Sequence, residues 1–306
     1  MSIFTKTQAL KTAKFFASCD SMPEAIAHAR ELANRLPGDI KRGGWKYYFK
    51  RFADALERGE LPHAIFAEGG NSKLPFVAFS TLPVVSCPGA GACAGIEREG
   101  DTPELGKAHC YSLRAWRYPA AFLRQCQNLL LLRFRRRAII DAFQELAEGI
   151  TLRLYVDGDF DSVETALFWF NLLRQRADVS AYGYSKSWRI LASVADRVPA
   201  NYALNLSSGG LEDGNAELKS ELASMPWVRG EFVALPVVGK FARGFARYED
   251  PEYHRAVRDA AKSAGLGRVF SCPGQCGECT GAGHACGAVD DSGAHVMPIT
   301  IAIGVH

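Results

Sequence analysis

From about residue 70 onward, short runs rich in apolar, β-branched and aromatic residues alternate with stretches of helical periodicity. That alternation confines the chain to a parallel sheet or barrel, because parallel strands need long crossovers and helices are the usual ones. Extended runs are expected at residues 76–86, 152–156, 180–184, 202–206, 232–238 and 268–271, with one more at 296–303. Helical stretches fall between them at about 113–148, broken at Pro119 and near Arg133 to Arg137, and at 162–177, 216–223 and 251–264. Six strand-then-helix units predict an α/β fold, a partial or full (β/α) barrel, over residues 66–306. A hydrophobic content of 48% supplies enough apolar surface for a large core.

Residues 1–65 read as a separate helical segment. A helix is expected at 5–17. Ser21-Met-Pro-Glu24 has the form of a capping box with proline in the first turn. Ile26, Ala29, Ala33 and Leu36 then follow at helical spacing, and Pro37-Gly38 stops the element. Trp45, Tyr48, Phe49, Phe52 and Leu56 form an aromatic stripe on a third helix, a pattern that belongs to a core.

No run of about 18 uncharged apolar residues exists, and the N-terminus lacks a secretory pattern, so the expectation is a cytoplasmic protein without membrane association. A net charge of +3 makes no case for nucleic acid by itself.

In a barrel, chemistry gathers on loops after the C-terminal ends of strands, and the informative residues obey that rule. Cys87-Pro-Gly-Ala-Gly-Ala-Cys93 follows the first run, Asp157-Gly-Asp159-Phe-Asp161 the second, Ser185-Lys186-Ser187 the third and Ser207-Ser-Gly-Gly210 the fourth. The last long run leads into Cys272, Cys276, Cys279 and Cys286, four thiols within fifteen residues of a glycine-rich loop. Seven of the nine cysteines, counting Cys110, fall in these two groups, and both groups open with Ser-Cys-Pro-Gly. Cys19 and Cys126 stand apart.

Clustered cysteines at unequal spacings in an intracellular chain point to metal ligation. Thiolates suit zinc and iron–sulfur clusters alike. The x3, x2 spacing of Cys272, Cys276 and Cys279 fits three corners of a 4Fe-4S cluster better than the paired short spacings of structural zinc. Cys286 closes the fourth corner or leaves it to another ligand. His284 either binds the metal or donates a hydrogen bond to sulfur. Cys87, Cys93 and Cys110 form a second site or share the first.

Asp157, Asp159 and Lys186 are the candidate catalytic residues, handling a polar or anionic group, whereas Asp161, directly before a helix, reads as its cap. Arg114 and Arg117, one helical step apart and just after Cys110-Tyr111, are placed to bind an anionic cofactor together with Tyr111 and Ser185. Arg133 and Arg135 to Arg137 read as a charged outer face.

The succession Cys-Pro-Gly-Ala-x-x-Cys, Cys110-Tyr111-Ser, Arg117-Tyr-Pro, Leu154-Tyr-Val-Asp157-Gly-Asp159-Phe, Tyr182-Gly-Tyr-Ser-Lys186-Ser and a closing cysteine cluster resembles the bacteriophage gene product 88 domain family over about residues 75–290. That resemblance implies a protein of phages, plasmids or other mobile elements and carries no established activity. Residues 97–108 make a longer insertion than the family pattern, which separates Cys93 from Cys110. The cluster spacing and barrel are also similar to radical S-adenosylmethionine enzymes, which implies an open iron and S-adenosylmethionine as cofactor, although there the motif follows the first strand. The alternative is a zinc- or cluster-braced protein that binds nucleic acid or a host protein without catalysis. Closure of the barrel, first strand to last, would bring both cysteine groups to one mouth.

Overall fold

A computed structural model describes residues 4–37, 44–68, 75–237, 250–274, 276, 286 and 300–305. Three helices open the chain: α1 (Lys6–Ser18), α2 (Met22–Arg35) and α3 (Trp45–Glu57). The reciprocal capping box sits on α1, where Thr5 Oγ1 accepts from Gln8 N at 3.2 Å and Gln8 Oε1 accepts from Thr5 N at 2.7 Å. On α2 the box is only half made. Ser21 Oγ accepts from Glu24 N at 3.3 Å, but the Glu24 carboxylate accepts from Asp20 N instead. The aromatic stripe of α3 buries Phe49, Phe52 and Leu56 in a cluster shared with α4 (Pro119–Phe134) and the segment after the first strand.

Seven strands form one sheet: β1 (Val77–Ala78), β2 (Thr151–Leu154), β3 (Ser180–Ser185), β4 (Tyr202–Ser207), β5 (Val228–Pro236), β6 (Val269–Ser271) and β7 (Thr300–Val305). Every pair is parallel, in the order β1-β2-β3-β4-β5-β7-β6. β1 and β6 are the edges of the sheet, and among the described residues no ladder joins them. The strand expected at 268–271 forms, but β7 lies between it and β5. The run at 76–86 is mostly not a strand. Only Val77 and Ala78 pair as a strand, backbone bonds of Phe79 and Thr81 continue alongside β2, and Pro83, which cannot donate, and Val84 at φ 70° then lead into the cysteine turn.

Five further helices, α5 (Arg136–Gln144), α6 (Val163–Gln175), α7 (Trp188–Ala192), α8 (Ala216–Ala223) and α9 (Pro251–Ser263), follow the strand-helix alternation. Strand alternation sends Leu152, Leu154, Ala181, Tyr202, Leu204 and Leu206 to one face, where they pack with Trp169, Phe170, Leu191 and Leu222. Val257, Tyr253 and Ala261 of α9 cover Leu235 and Ala302 on the same side. The other face carries Arg153, Tyr182, Tyr184, Asn205 and Phe232. There Arg153 registers with Tyr182, and Tyr184 with Asn205. A sheet with its helices on one face and polar and aromatic side chains on the other has the layering of a barrel wall.

α4 is buried on nearly every side, and Gln127 and Asn128 donate or accept at backbone groups while Gln125 bonds the Trp116 and Asp157 side chains. Asn128 Nδ2 donates to Ile65 O at 2.9 Å and Ser80 O at 3.0 Å, while Gln127 bonds both backbone groups of His63. The breaks expected in the long helical stretch occur, giving a 3-10 helix (Tyr111–Arg117), α4 and α5. Arg133 is exposed, as a charged outer face requires, and also makes a tertiary contact. Its guanidinium donates to the Phe16 and Ala17 carbonyls and so satisfies the C-terminal end of α1. Arg137, paired with Asp141 at 2.8 Å, also lies on such a face.

Burial, with Arg124 and Arg51 nearby, lowers the His63 pKa from 6.5 to about 4. The unfolded chain therefore binds a proton there before the folded one does, so folding stability is complete above about pH 6.5 and falls as pH drops toward about 4. His63→Gln should remove that part of the pH dependence in urea titrations. An unchanged slope between those pH values would show that other groups cause it.

Candidate functional site

The turn from Cys87 to Cys93 lies backbone to backbone on the loops after β3 and β4. Leu211 N donates to Gly89 O at 3.0 Å, and Gly209 O accepts from Gly91 N at 3.2 Å and Cys93 N at 3.0 Å. A Cβ on Gly89 would stand 1.8 Å from Lys186 O, and one on Gly91 would stand 2.7 Å from the Gly210 carbonyl carbon. The glycines are therefore required by contact. Cys110 N donates to Cys93 O at 2.8 Å, so the 97–108 insertion loops out and returns Cys110 beside Cys93. Burial pushes the Cys87 thiol well up, with Asp159, Cys110 and Cys93 adding to it. Burial likewise raises Cys93, against the pull of Lys186. Left to themselves, these two cysteines are protonated thiols at neutral pH.

Asp159 is only 4% exposed and uses both oxygens. Its Oδ1 accepts from Ser185 Oγ at 2.7 Å and Phe160 N at 2.8 Å, and its Oδ2 accepts from Lys186 N at 2.7 Å. Burial raises its pKa against these bonds. The acid thereby fixes the backbone of Lys186, whose Nζ donates to Ser207 Oγ at 2.7 Å. Burial opposes the charge on Lys186, but Cys93, Asp159, Cys110 and Cys87 outweigh it and the pKa rises. Asp157 Oδ2 accepts from Gln125 Nε2 at 2.8 Å, its backbone N donates to Ser80 Oγ, and burial raises its pKa. Asp161 is not the helix cap. Ser162, extended at φ −157°, holds that place and accepts from Thr165 N at 3.1 Å, while Asp161 Oδ1 is buried without a hydrogen-bond partner.

Arg114 and Arg117 lie exposed on the 3-10 helix, with the Arg117 guanidinium 4.9 Å from the Tyr118 ring. Tyr111 turns its hydroxyl toward the sheet, donating to Val156 O at 2.7 Å and accepting from Arg153 at 3.3 Å. Ser185, expected to bind a cofactor, holds Asp159 and accepts from Ser187 N at 3.0 Å.

The second cysteine group lies against the face that the helices leave uncovered. Asn205 Nδ2 donates to Cys286 O at 2.7 Å, and Tyr184 and Tyr182 lie beside the Cys286 and Cys276 side chains. Burial pushes the Cys286 thiol up to about 12, with Cys272 and Cys276 close enough to contribute. Gly274 N donates to Cys272 Sγ at 3.4 Å. Cys279 and His284 lie outside the described residues. The first group lies against the loops after β2, β3 and β4, and the second against the Arg153, Tyr182, Tyr184 and Asn205 face of β2, β3 and β4. Lys186 adjoins the first, Arg153 the second, and Tyr111 lies within reach of both cations. Among the described residues no disulfide forms, and no three or more histidine, cysteine or carboxylate side chains are arranged to hold a metal ion.

Arg153, Tyr182, Tyr184 and Asn205 were not anticipated as site residues. The signal lay in strand alternation: a charged residue between Leu152 and Leu154, in a run otherwise facing a core, must point to the other face.

The model of the family described as Gene product 88 matches residues 55–235. The chain belongs to that family. The match takes in the first cysteine group, Asp157, Asp159 and Lys186, and ends before β6 and the second cysteine group. No curated protein and no solved structure matches. Gene product 88 membership therefore covers the sheet from β1 through most of β5 and the glycine-locked turn, while α1, α2 and the C-terminal cysteines stand outside the matched span.

Gly89→Ala tests the lock. With a backbone carbonyl 1.8 Å from the new Cβ, it should cost roughly 2 kcal/mol or more in urea unfolding. Gly106→Ala, which meets nothing within 4 Å, should cost far less. Equal effects would mean the turn is not seated as described.

Proposed function

We propose that this Gene product 88 protein is a mobile-element protein carrying a cysteine-ligated metal cluster, iron–sulfur in preference to zinc, at the mouth of its parallel sheet. The observation that carries the reading is the placing of one thiol group beside Lys186 and the other beside Arg153, both cations half-buried and on neighbouring strands or their loops. Metals bind thiolate, and the binding supplies the free energy that deprotonates a buried thiol. Cysteine-ligated iron–sulfur clusters carry net negative charge, and their potentials follow nearby charges and hydrogen bonds to sulfur. Cations and tyrosine hydroxyls beside the thiols suit that chemistry.

Cys272, Cys276, Cys279 and Cys286 would hold the cluster, with Cys87, Cys93 and Cys110 as a second or shared ligand group. The cluster would supply one-electron transfer. In an enzyme of the radical S-adenosylmethionine type, Lys186 on Ser207 would hold a polar or anionic group, Asp159 would keep Lys186 in place, and Asp157 would face the same mouth. The exposed Arg114, Arg117, Tyr111 and Tyr118 favour a second reading, in which the metal only braces a surface that binds nucleic acid or a host protein.

Metal and acid-labile sulfide analysis after anaerobic purification tests the first reading. The expected result is about four iron and four sulfide per cluster, lost on Cys276→Ser. Zinc without sulfide would redirect the account to the second reading, whose mark is salt-sensitive binding weakened in an Arg114→Ala, Arg117→Ala double variant.

A further inference from the structure

Two cationic side chains in the mouth have no carboxylate partner among the described residues. Lys186 Nζ is bonded to the neutral Ser207 hydroxyl, and both oxygens of nearby Asp159 are taken by Ser185, Phe160 N and Lys186 N. Arg153, on the uncovered face of β2, gives one terminal nitrogen to the Tyr111 hydroxyl at 3.3 Å and lies over the Tyr184 ring at 4.7 Å. Its Nε is buried with no acceptor. On the same face, Asn205 spends its amide nitrogen on Cys286 O and Gly183 O, and its Oδ1 is buried with no donor.

A half-buried ammonium bonded only to a neutral hydroxyl, a guanidinium with a buried, unused N–H and an amide with a buried, unused acceptor each leave interactions unmade, which is costly. All three flank Tyr184 or lie two residues beyond it in β3 and the loop that follows. Neither nearby carboxylate is hydrogen-bonded to these cations: Asp157 Oδ2 accepts from Gln125 Nε2, and both Asp159 oxygens are taken as above. What is missing is a planar or tetrahedral anion, which a guanidinium fork recognises better than any other side chain does.

We infer that Arg153 and Lys186 form a binding site for the oxyanion, carboxylate or phosphate, of a small molecule that enters the mouth between the two cysteine groups, with Asn205 Oδ1 accepting from an N–H or O–H of the same ligand. The site uses no metal and stands whether or not the cluster reading holds. It also gives Asp159 a definite role, as a positioning residue that holds Lys186.

Isothermal titration calorimetry of the full chain with inorganic phosphate and with acetate, at constant ionic strength and neutral pH, tests it. Saturable binding of at least one is expected, weakened about tenfold or more in Arg153→Gln and in Lys186→Met, and weakened less in Arg153→Lys, which keeps the charge and loses the fork. The anion that binds the more tightly identifies the ligand's group. Protection of Lys186 from acetylation by the bound anion, read by mass spectrometry on the unaltered protein, serves where a variant does not fold. Absence of saturable binding to the unaltered protein, or binding that survives both charge removals with Lys186 unprotected, overturns the inference. Iron, zinc or sulfide content decides the preceding proposal separately and does not bear on this outcome.

Discussion

The contact between the 87–93 turn and the loops after β3 and β4 admits hydrogen and nothing larger at Gly89, and the arrangement of the mouth depends on it. Because the Gly89 position abuts Lys186 O, the turn and the lysine loop are set against one another as backbone. Asp159 then ties the Lys186 amide to the loop after β2, and Ser207 of β4 receives the ammonium. Three strand ends and one cysteine turn become a single rigid piece. Around it the backbone takes uncommon conformations, at Val84 with φ 70° and Tyr155 with φ 56°, which persist only where surroundings over-determine them.

The second constraint is the one-sidedness of the sheet. Helices pack on the face formed by Leu152, Leu154, Ala181 and Leu204, so Arg153, Tyr182, Tyr184 and Asn205 must be satisfied by something that is not a crossover helix. Part of that satisfaction comes from the Cys286 carbonyl, which accepts from Asn205 Nδ2. Cys286 is thus held against the polar face of β2–β4. A polar inner face invites occupation by charge, whether thiolate, metal cluster or ligand anion, and an apolar one would have closed into core.

Much of this was legible in the sequence. The strand-helix alternation yielded the α/β class. Helix 216–223 was read correctly to the residue, because its acidic and apolar periodicity is uninterrupted and Asn215 caps it. The proximity of the first cysteine group to Lys186 followed from placing each motif after a strand. Four features were not legible, each for a physical reason. The insertion of β7 between β5 and β6 is a matter of long-range pairing, which local patterns do not encode. Asp161 and Ser162 are both good caps, and only the backbone shows that Ser162 takes the position. Ser185 looks like a ligand-binding hydroxyl beside Lys186, yet it is spent on Asp159, and Arg153 went unnoticed because a lone arginine in a short strand resembles a surface residue until its face is known.

The placement of the sulfurs is the central claim, and long-wavelength sulfur anomalous diffraction from a crystal of the protein measures it directly, with or without bound metal. The expected map puts the Cys87, Cys93 and Cys110 sulfurs in one group beside Lys186, and the Cys272, Cys276 and Cys286 sulfurs in a second group on the Arg153, Tyr182 and Tyr184 face of the sheet. C-terminal sulfurs found away from that face, or Cys110 found apart from Cys93, would contradict the account.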